Sequence, residues 1–351
     1  MKKIKGIIVV FIFVFTISTM LQDCGEKVFT AVSGKRGPIK VAAFLYDFND
    51  DLISAIRKNL EDIQKENNNK VEYVFYDSKS DESIQNQNID KVLNEGTDLI
   101  LLNLVNRNNA QAIINKIKDT NIPVLLFNRE PTTPVPMQSY NRSLFIGTDP
   151  KQAGTLQGKM LIDAWNSSKE FIDKNKNNKM EYVMLQGERD NIEAIERTRY
   201  SVSTIEGAGI NTQRLAIEVC NWREDLAYEA IKKLLSIHGN EIEVIIANDD
   251  TMAIGAIKAL QEFGYNKGDK TKTVLVVGVD ITPMAKELIE KGDMLGSVSQ
   301  NPREYAEALY NCGLNLVNKR NPIYGTRYQL DETGVAVRIP QIEYMYKNIF
   351  S

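Results

Sequence analysis

A chain of 351 residues, 43% apolar and 25% charged, has the length of about two ordinary globular domains. Its formal net charge of −3, with Lys and Arg scattered along the sequence, excludes a nucleic-acid footprint. The single histidine, His238, leaves no His-rich zinc site and no Ser-His-Asp triad that does not run through it.

The chain begins with Lys2, Lys3 and Lys5, followed by an apolar run from Gly6 to Leu21 that ends at Gln22-Asp23-Cys24-Gly25. Basic residues, an apolar stretch and then a cysteine read as a secretory signal over residues 1–23, since a spanning helix needs ~20 apolar residues. Leu21 stands three residues before Cys24, the spacing of a lipobox, although Asp23 occupies a place where small residues are usual. Cys24 is therefore expected to carry a lipid and hold the exported protein to the membrane. Residues 24–38, with Ser33, Gly34, Gly37 and Pro38, read as a tether.

From residue 39 onward, short runs rich in Val, Ile, Leu and Tyr alternate with stretches of helical period. Strands are predicted near residues 39–46, 71–77, 98–105, 123–128, 144–148, 181–186, 214–219, 244–248, 273–279 and 295–299. Amphipathic segments separate most of them, among them residues 52–66, 84–95, 153–165, 224–236 and 251–263. This alternation predicts βαβ units and parallel sheets with right-handed crossovers. Ten strands are too many for one sheet of this length, so the fold class is α/β with two doubly wound lobes. The connection Glu130–Ser143, with three prolines, is the predicted first hinge crossing.

In open sheets of this kind ligands sit beyond the carboxyl ends of the strands. Asp50, Asn103, Asp249, Asp280 and Gln300 all fall at predicted strand ends, as do Glu193, Arg197 and Trp222 in the loops that follow. Carboxylates and amides that accept from hydroxyls, an arginine that donates and a flat aromatic ring together suit a sugar. Each Asp or Asn taken alone also suits a helix N-cap. No P-loop and no Gly-rich dinucleotide motif follows any predicted strand. The adjacent Asp249-Asp250 does not define the opposed carboxylates of a glycosidase. The protein is not expected to be an enzyme.

One loop has a different rhythm. Asp173, Asn175, Asn177, Lys179 (through its carbonyl) and Glu181 fall at positions 1, 3, 5, 7 and 9 of a calcium loop. Position 6 is Asn178 rather than Gly, and position 12 is Met184 rather than the closing glutamate. The loop needs a carboxylate from elsewhere, or else is a polar turn.

Several phrases carry a resemblance over residues 39–346. They are Leu102-Asn103-Leu104-Val105, Phe127-Asn128-Arg129-Glu130-Pro131, Gly147-Thr148-Asp149, Ile245-Ile246-Ala247-Asn248-Asp249-Asp250 and Val277-Gly278-Val279-Asp280, together with the calcium-like loop. In this order the chain resembles the galactose/glucose-binding proteins of bacterial ABC uptake systems, which have the type I periplasmic-binding-protein fold. The resemblance implies that Glu243 closes a structural Ca2+ site made of Asp173, Asn175, Asn177, Lys179, Glu181 and Glu243. It implies sugar contacts at Asn103, Arg197, Trp222 and Asp280. The family's first aromatic position corresponds to Phe44 and its next aspartate to Asp50, across a two-residue insertion, with Leu52 or Phe48 as the second stacking position. The family's His corresponds to Asn191, its following Asp to Glu193, one Asn to Asp249 and the Asn near the hinge to Gln300. These changes alter length and charge within the site.

The expectation is thus an exported, lipid-anchored, monomeric protein that captures a hexose between two lobes. The lobes would be residues 39–128 with 301–335 and residues 129–300 with 336–351, crossing near Asn128, Gln300 and Ala336. Its partner would be a membrane ABC permease or, alternatively, a sensor kinase or chemoreceptor.

Overall fold

A computed structural model describes residues 37–346. The leader, Cys24 and all but the last two residues of the tether lie outside the described residues. No described helix is long and apolar enough to cross a membrane. The strands are β1 (Ile39–Leu45), β2 (Val71–Asp77), β3 (Leu99–Leu102), β4 (Val124–Phe127), β5 (Ser143–Gly147), β6 (Met180–Gln186), β7 (Thr212–Val219), β8 (Val244–Ala247), β9 (Leu275–Asp280), β10 (Gly296–Ser299), β11 (Ala336–Arg338) and β12 (Glu343–Met345). The helices are α1 (Asp51–Glu66), α2 (Glu82–Glu95), α3 (Ala110–Asp119), α4 (Val135–Gln138), α5 (Pro150–Ile172), α6 (Ile192–Gly207), α7 (Glu224–His238), α8 (Asp250–Glu262), α9 (Pro283–Lys291) and α10 (Pro302–Val317).

Two six-stranded sheets result, in the orders β11-β5-β4-β3-β1-β2 and β12-β10-β9-β8-β6-β7. The first sheet pairs in parallel throughout. The second departs from parallel only where β12 runs antiparallel to β10. All ten predicted strands are present, and the short edge strands β11 and β12 are additions. Helices cover both faces of each sheet, so the central strands are unbroken apolar runs such as Leu-Ile-Leu-Leu in β3 and Val-Ile-Ile-Ala in β8. Along β1 the side chains alternate between two cores. Val41, Ala43 and Leu45 pack toward α1 and α10, whereas Ala42 and Phe44 pack toward α2 and α3.

The crossovers begin in a recurrent way. Asp50, Asp81, Asp149, Asn191, Asp249, Thr282 and Asn301 each cap a helix by accepting a hydrogen bond from a main-chain N–H of its first turn. His238 ends α7, its ring 3.1 Å from Glu241 and far from any cleft chemistry. Cys220 and Cys312 are free and buried in the cores of different lobes.

The predicted lobe boundaries need correction at two of three crossings. The proline-bearing connection after β4 does not leave the first lobe. It forms the single turn α4, and Met137 and Tyr140 pack into the core beneath β4. The chain then returns as β5 beside β4, with Leu126 opposite Phe145. Strand β11 pairs with β5, so residues 336–338 also belong to the first lobe. The crossings therefore fall at residues 148–149, 300–301 and 339–342. Only the crossing at Gln300 stands where the sequence placed it. The prolines stop a strand and start a turn; they do not mark a change of sheet.

Candidate functional site

In each sheet the strand order reverses between the fourth and fifth strands, β3 and β1 in the first and β8 and β6 in the second. Helices leave such neighbours toward opposite faces, and a crevice opens at the carboxyl ends. The two crevices face each other across one shared cleft. Tyr46, Asp50, Leu52, Asn128 and Arg129 line it from the first lobe. Asn191, Glu193, Arg197, Trp222, Asp249, Asp280 and Gln300 line it from the second.

Eight of the ten predicted sugar-contact residues are brought together here: Asp50, Asn191, Glu193, Arg197, Trp222, Asp249, Asp280 and Gln300. The capping role and the cleft role coexist at Asp50, Asn191 and Asp249. Asp249 Oδ1, for example, accepts from Met252 N at 2.8 Å while the residue lines the cleft.

Two predictions are corrected. Phe44 is fully buried and stacks on Tyr76, 5.0 Å between centroids, in the core behind β1. The aromatic ring at the strand end is Tyr46, whose hydroxyl donates to Asp50 Oδ2 at 2.5 Å. Reading Phe44 as that ring required the two-residue insertion, and the structure places Tyr46, not Phe44, at the cleft. Asn103 is also fully buried and stands behind the wall. Its Oδ1 accepts from Tyr46 N at 3.2 Å, and its Nδ2 donates to Phe127 O at 3.0 Å and Asn128 Oδ1 at 3.1 Å. It positions two lining residues and does not line the cleft itself. Tyr46, Asn128 and Arg129 were missed. The strand-end rule applied to β4 would have found the last two, since they follow Phe127 directly. Of the two stacking candidates, Leu52 lines the cleft, while Phe48 packs against the first-lobe core.

The walls are held in costly backbone. Asn128, Trp222 and Asp280 have φ of 59°, 62° and 124°, in the region that favours glycine. Gly187 makes room for the Trp222 ring, because a Cβ there would lie 2.2 Å from the indole. Behind Asp280, the fully buried Asp250 accepts from Ser297 Oγ at 2.6 Å and from Thr282 N at 2.8 Å, fixing the turn after β9. Gln300 takes hydrogen bonds from Thr148 and Tyr305 through Oε1 and donates to Asp280 Oδ1 at 2.8 Å.

Arg197 is the largest fully buried side chain among the described residues, 1% exposed. Its Nη1 donates to Asn248 O at 2.8 Å, its Nη2 lies 3.5 Å from Glu193, and Nε and Nη2 make no hydrogen bond. Burial pushes several lining acids up: Asp249 to about 8, with Asp250 and Asp50 adding to the shift, and Asp280 well above the usual carboxylate range. Burial raises Glu193 too, against the pull of Arg197.

Contacts also bridge the lobes outside the hinge. Arg107 Nη2 donates to Asp190 O at 2.5 Å, Arg129 Nη2 pairs with Glu188 at 3.0 Å, and Thr251 Oγ1 donates to Asp51 at 3.2 Å. The arrangement is a closed one.

The calcium-like loop lies elsewhere, between α5 and β6. Glu243 accepts from Lys174 N at 2.8 Å and Glu181 N at 3.0 Å, so the distant carboxylate does meet the loop. Asn175 and Asn177 donate their amides to Glu181. Asn175 Oδ1 and Asn177 Oδ1 accept from Asn177 N and Lys179 N. Asp173 Oδ2 accepts from Asn178 N, while its Oδ1 is buried without a partner. Burial pushes Glu243 up to about 7. Among the described residues, no group of three carboxylate, imidazole or thiolate side chains converges on a metal position.

The sequence matches the family described as "Periplasmic binding protein domain" over residues 41–321. It is 32% identical over 304 residues to the D-galactose/methyl-galactoside binding periplasmic protein MglB of Haemophilus influenzae, covering 86% of this chain and 88% of that protein. Among solved structures, a solute-binding protein of an ABC transporter from Bacillus halodurans with bound myo-inositol superposes with a TM-score of 0.72 at 22% identity, covering 90% of this chain and 98% of that one. One from Actinobacillus succinogenes with bound D-allose gives 0.74 at 17% identity, covering 89% and 99%.

Proposed function

Because this chain belongs to the periplasmic binding protein family, whose members are solute-binding transport components and not enzymes, we propose that it captures a monosaccharide in the interlobe cleft for an ABC permease. The observation that carries this is the meeting of Trp222 with Asp50, Glu193, Asp249, Asp280 and the incompletely bonded Arg197 in one closed space. A pyranose offers in-plane hydroxyls to such acids and amides and a C–H face to an indole. The galactoside named for the Haemophilus relative supports a hexose.

Capture works by hinge closure. A ligand touching Tyr46, Asp50 and Asn128 on one lobe and Arg197, Trp222 and Asp280 on the other favours the closed form, which the permease recognises. Family membership implies export, and Cys24 then anchors the monomeric protein to the outer face of the membrane.

Calorimetry of the exported form against a panel of aldoses tests the reading. Binding of at least one hexose at micromolar concentration is expected, with Trp222→Ala weakening it tenfold or more. If no pentose, hexose or amino sugar binds below millimolar, the sugar reading is wrong.

The loop around Asp173 is proposed to hold a structural Ca2+. Asp173 Oδ1 lacks a partner, burial pushes Glu243 up to about 7, and rotating the Asn175 and Asn177 amides would present oxygens to a hard cation. Bound there, the ion would supply positive charge among three acids and tie α5 to β6 and β8. Chelation should lower the melting temperature of the wild-type protein, and Glu243→Gln should shrink that drop. An identical melt with and without chelator would remove the metal from this account.

A further inference from the structure

We infer that the ligand of the cleft carries a protonated amine: the site suits an amino sugar or an aminopolyol better than a neutral hexose. This rests on the reading of the cleft as a saccharide site and narrows it.

Four acids line the cleft, Asp50, Glu193, Asp249 and Asp280, against two cations, Arg129 and Arg197. Arg129 does not offset them, because its Nη2 faces both oxygens of Glu188 at 3.2 and 3.0 Å. Its Nε donates to Leu104 O and its Nη2 also to Val105 O. Arg197 faces Glu193. Asp50, Asp249 and Asp280 are left without a cation of their own.

Their hydrogen bonds separate them further. Asp50 is satisfied on both oxygens, by Ile53 N at 2.8 Å and the Tyr46 hydroxyl at 2.5 Å. Asp249 receives one hydrogen bond, from Met252 N, and Asp280 receives one, from Gln300. Each keeps an oxygen that no protein group serves. Asp249 is buried and Asp280 half-buried with Asp250 behind them, and burial first, then the Asp250 charge, raises both. An ammonium donates up to three hydrogen bonds, and its charge offsets the burial that keeps these acids protonated, so on binding they release protons and offer it both open oxygens. A hydroxyl donates one and brings no charge.

On the same lobe, beside these acids and already lowering them, the Arg197–Trp222 wall asks for the reverse chemistry. Arg197 Nε and Nη2 are buried without an acceptor beside the Trp222 ring, 5.9 Å from the guanidinium. They need ligand oxygens. A simple amine would leave them unserved, and an acidic sugar would set its carboxylate among three acids. A polyhydroxylated ring with one ammonium meets both walls.

Calorimetry at pH 7 decides the matter, using glucose and galactose, their 2-amino, 3-amino and 6-amino derivatives, and the N-acetyl form of each. The best amino sugar should bind about thirtyfold tighter than its neutral parent, and N-acetylation should erase the gain. In Asp249→Asn, which keeps a helix-capping oxygen, the ratio of amino to neutral affinity should fall toward one. Neutral hexoses that bind as tightly as every amino derivative would overturn the inference and leave the saccharide reading standing. Binding of neither set would overturn the saccharide reading itself.

Discussion

Arg197→Leu should cost the protein its ligand, with affinity falling a hundredfold to a thousandfold in calorimetry while the far-ultraviolet circular dichroism stays native. The guanidinium is fixed by Asn248 O and steered by Glu193, and its Nε and Nη2 have no protein acceptor. Ligand oxygens that fill those places gain charge-assisted hydrogen bonds of about 1.5–3 kcal/mol each. Losing two of them accounts for the expected drop, at tenfold per 1.4 kcal/mol. Leucine also leaves Glu193 buried without its cation, so the melting temperature should fall as well. Arg197→Lys separates the two effects, since it keeps the charge but not the planar fork. It should recover much of the stability and little of the affinity. If Arg197→Lys binds like the wild type, the fork is not what holds the ligand.

The ligand-free protein should be markedly more stable at pH 5.5 than at pH 8. Asp249 ionises in the folded protein at about 8, against an ordinary 3.8, because its burial disfavours the charged form. A raised carboxylate binds its proton more tightly when folded, so between these values the unfolded chain carries fewer protons. Stability is full below about pH 4, declines as pH rises and levels off above about 8. Asp250 and Asp280 shift in the same direction, both through burial first. One such group lowers the unfolding free energy by about 1.4 kcal/mol for each pH unit in the window. Thermal melts from pH 5 to 8 should therefore drop by several degrees, and Asp249→Asn should flatten the slope. A melting temperature that rises with pH over this range would contradict the burial of these acids.

Much of this architecture was legible because the chemistry is local. Four-residue apolar runs between amphipathic stretches mark buried parallel strands, and capping residues mark where each crossover starts. The strand-end rule found Asp50 and Asp249 for the same reason, a cap and a cleft wall occupying one position, and found Asp280 as the last residue of β9. What was not legible depends on partners distant in sequence. Nothing near Glu130–Ser143 reveals that β5 returns to β4, since that pairing is made by apolar residues with no local signature of which sheet they join. Asn103 has the polarity of a ligand contact, and only the neighbouring strands show its amide spent on Phe127, Asn128 and Tyr46. Phe44 and Tyr46 differ by two positions, yet Phe44 packs in the core toward α2 and α3 while Tyr46 lies past the strand on the side of the other core. The end of β1 at Leu45 decides which ring reaches the cleft.

Gln300 sits in the crossing between lobes, and its amide grips Asp280 while its oxygen takes Thr148 and Tyr305. Pivot and wall are therefore one mechanical part. A ligand held at Asp280 would be felt at the axle itself, through Gln300. A change of ligand preference made at Asp280 would also retune the rest angle of the joint, so selectivity and openness in this protein are inherited together.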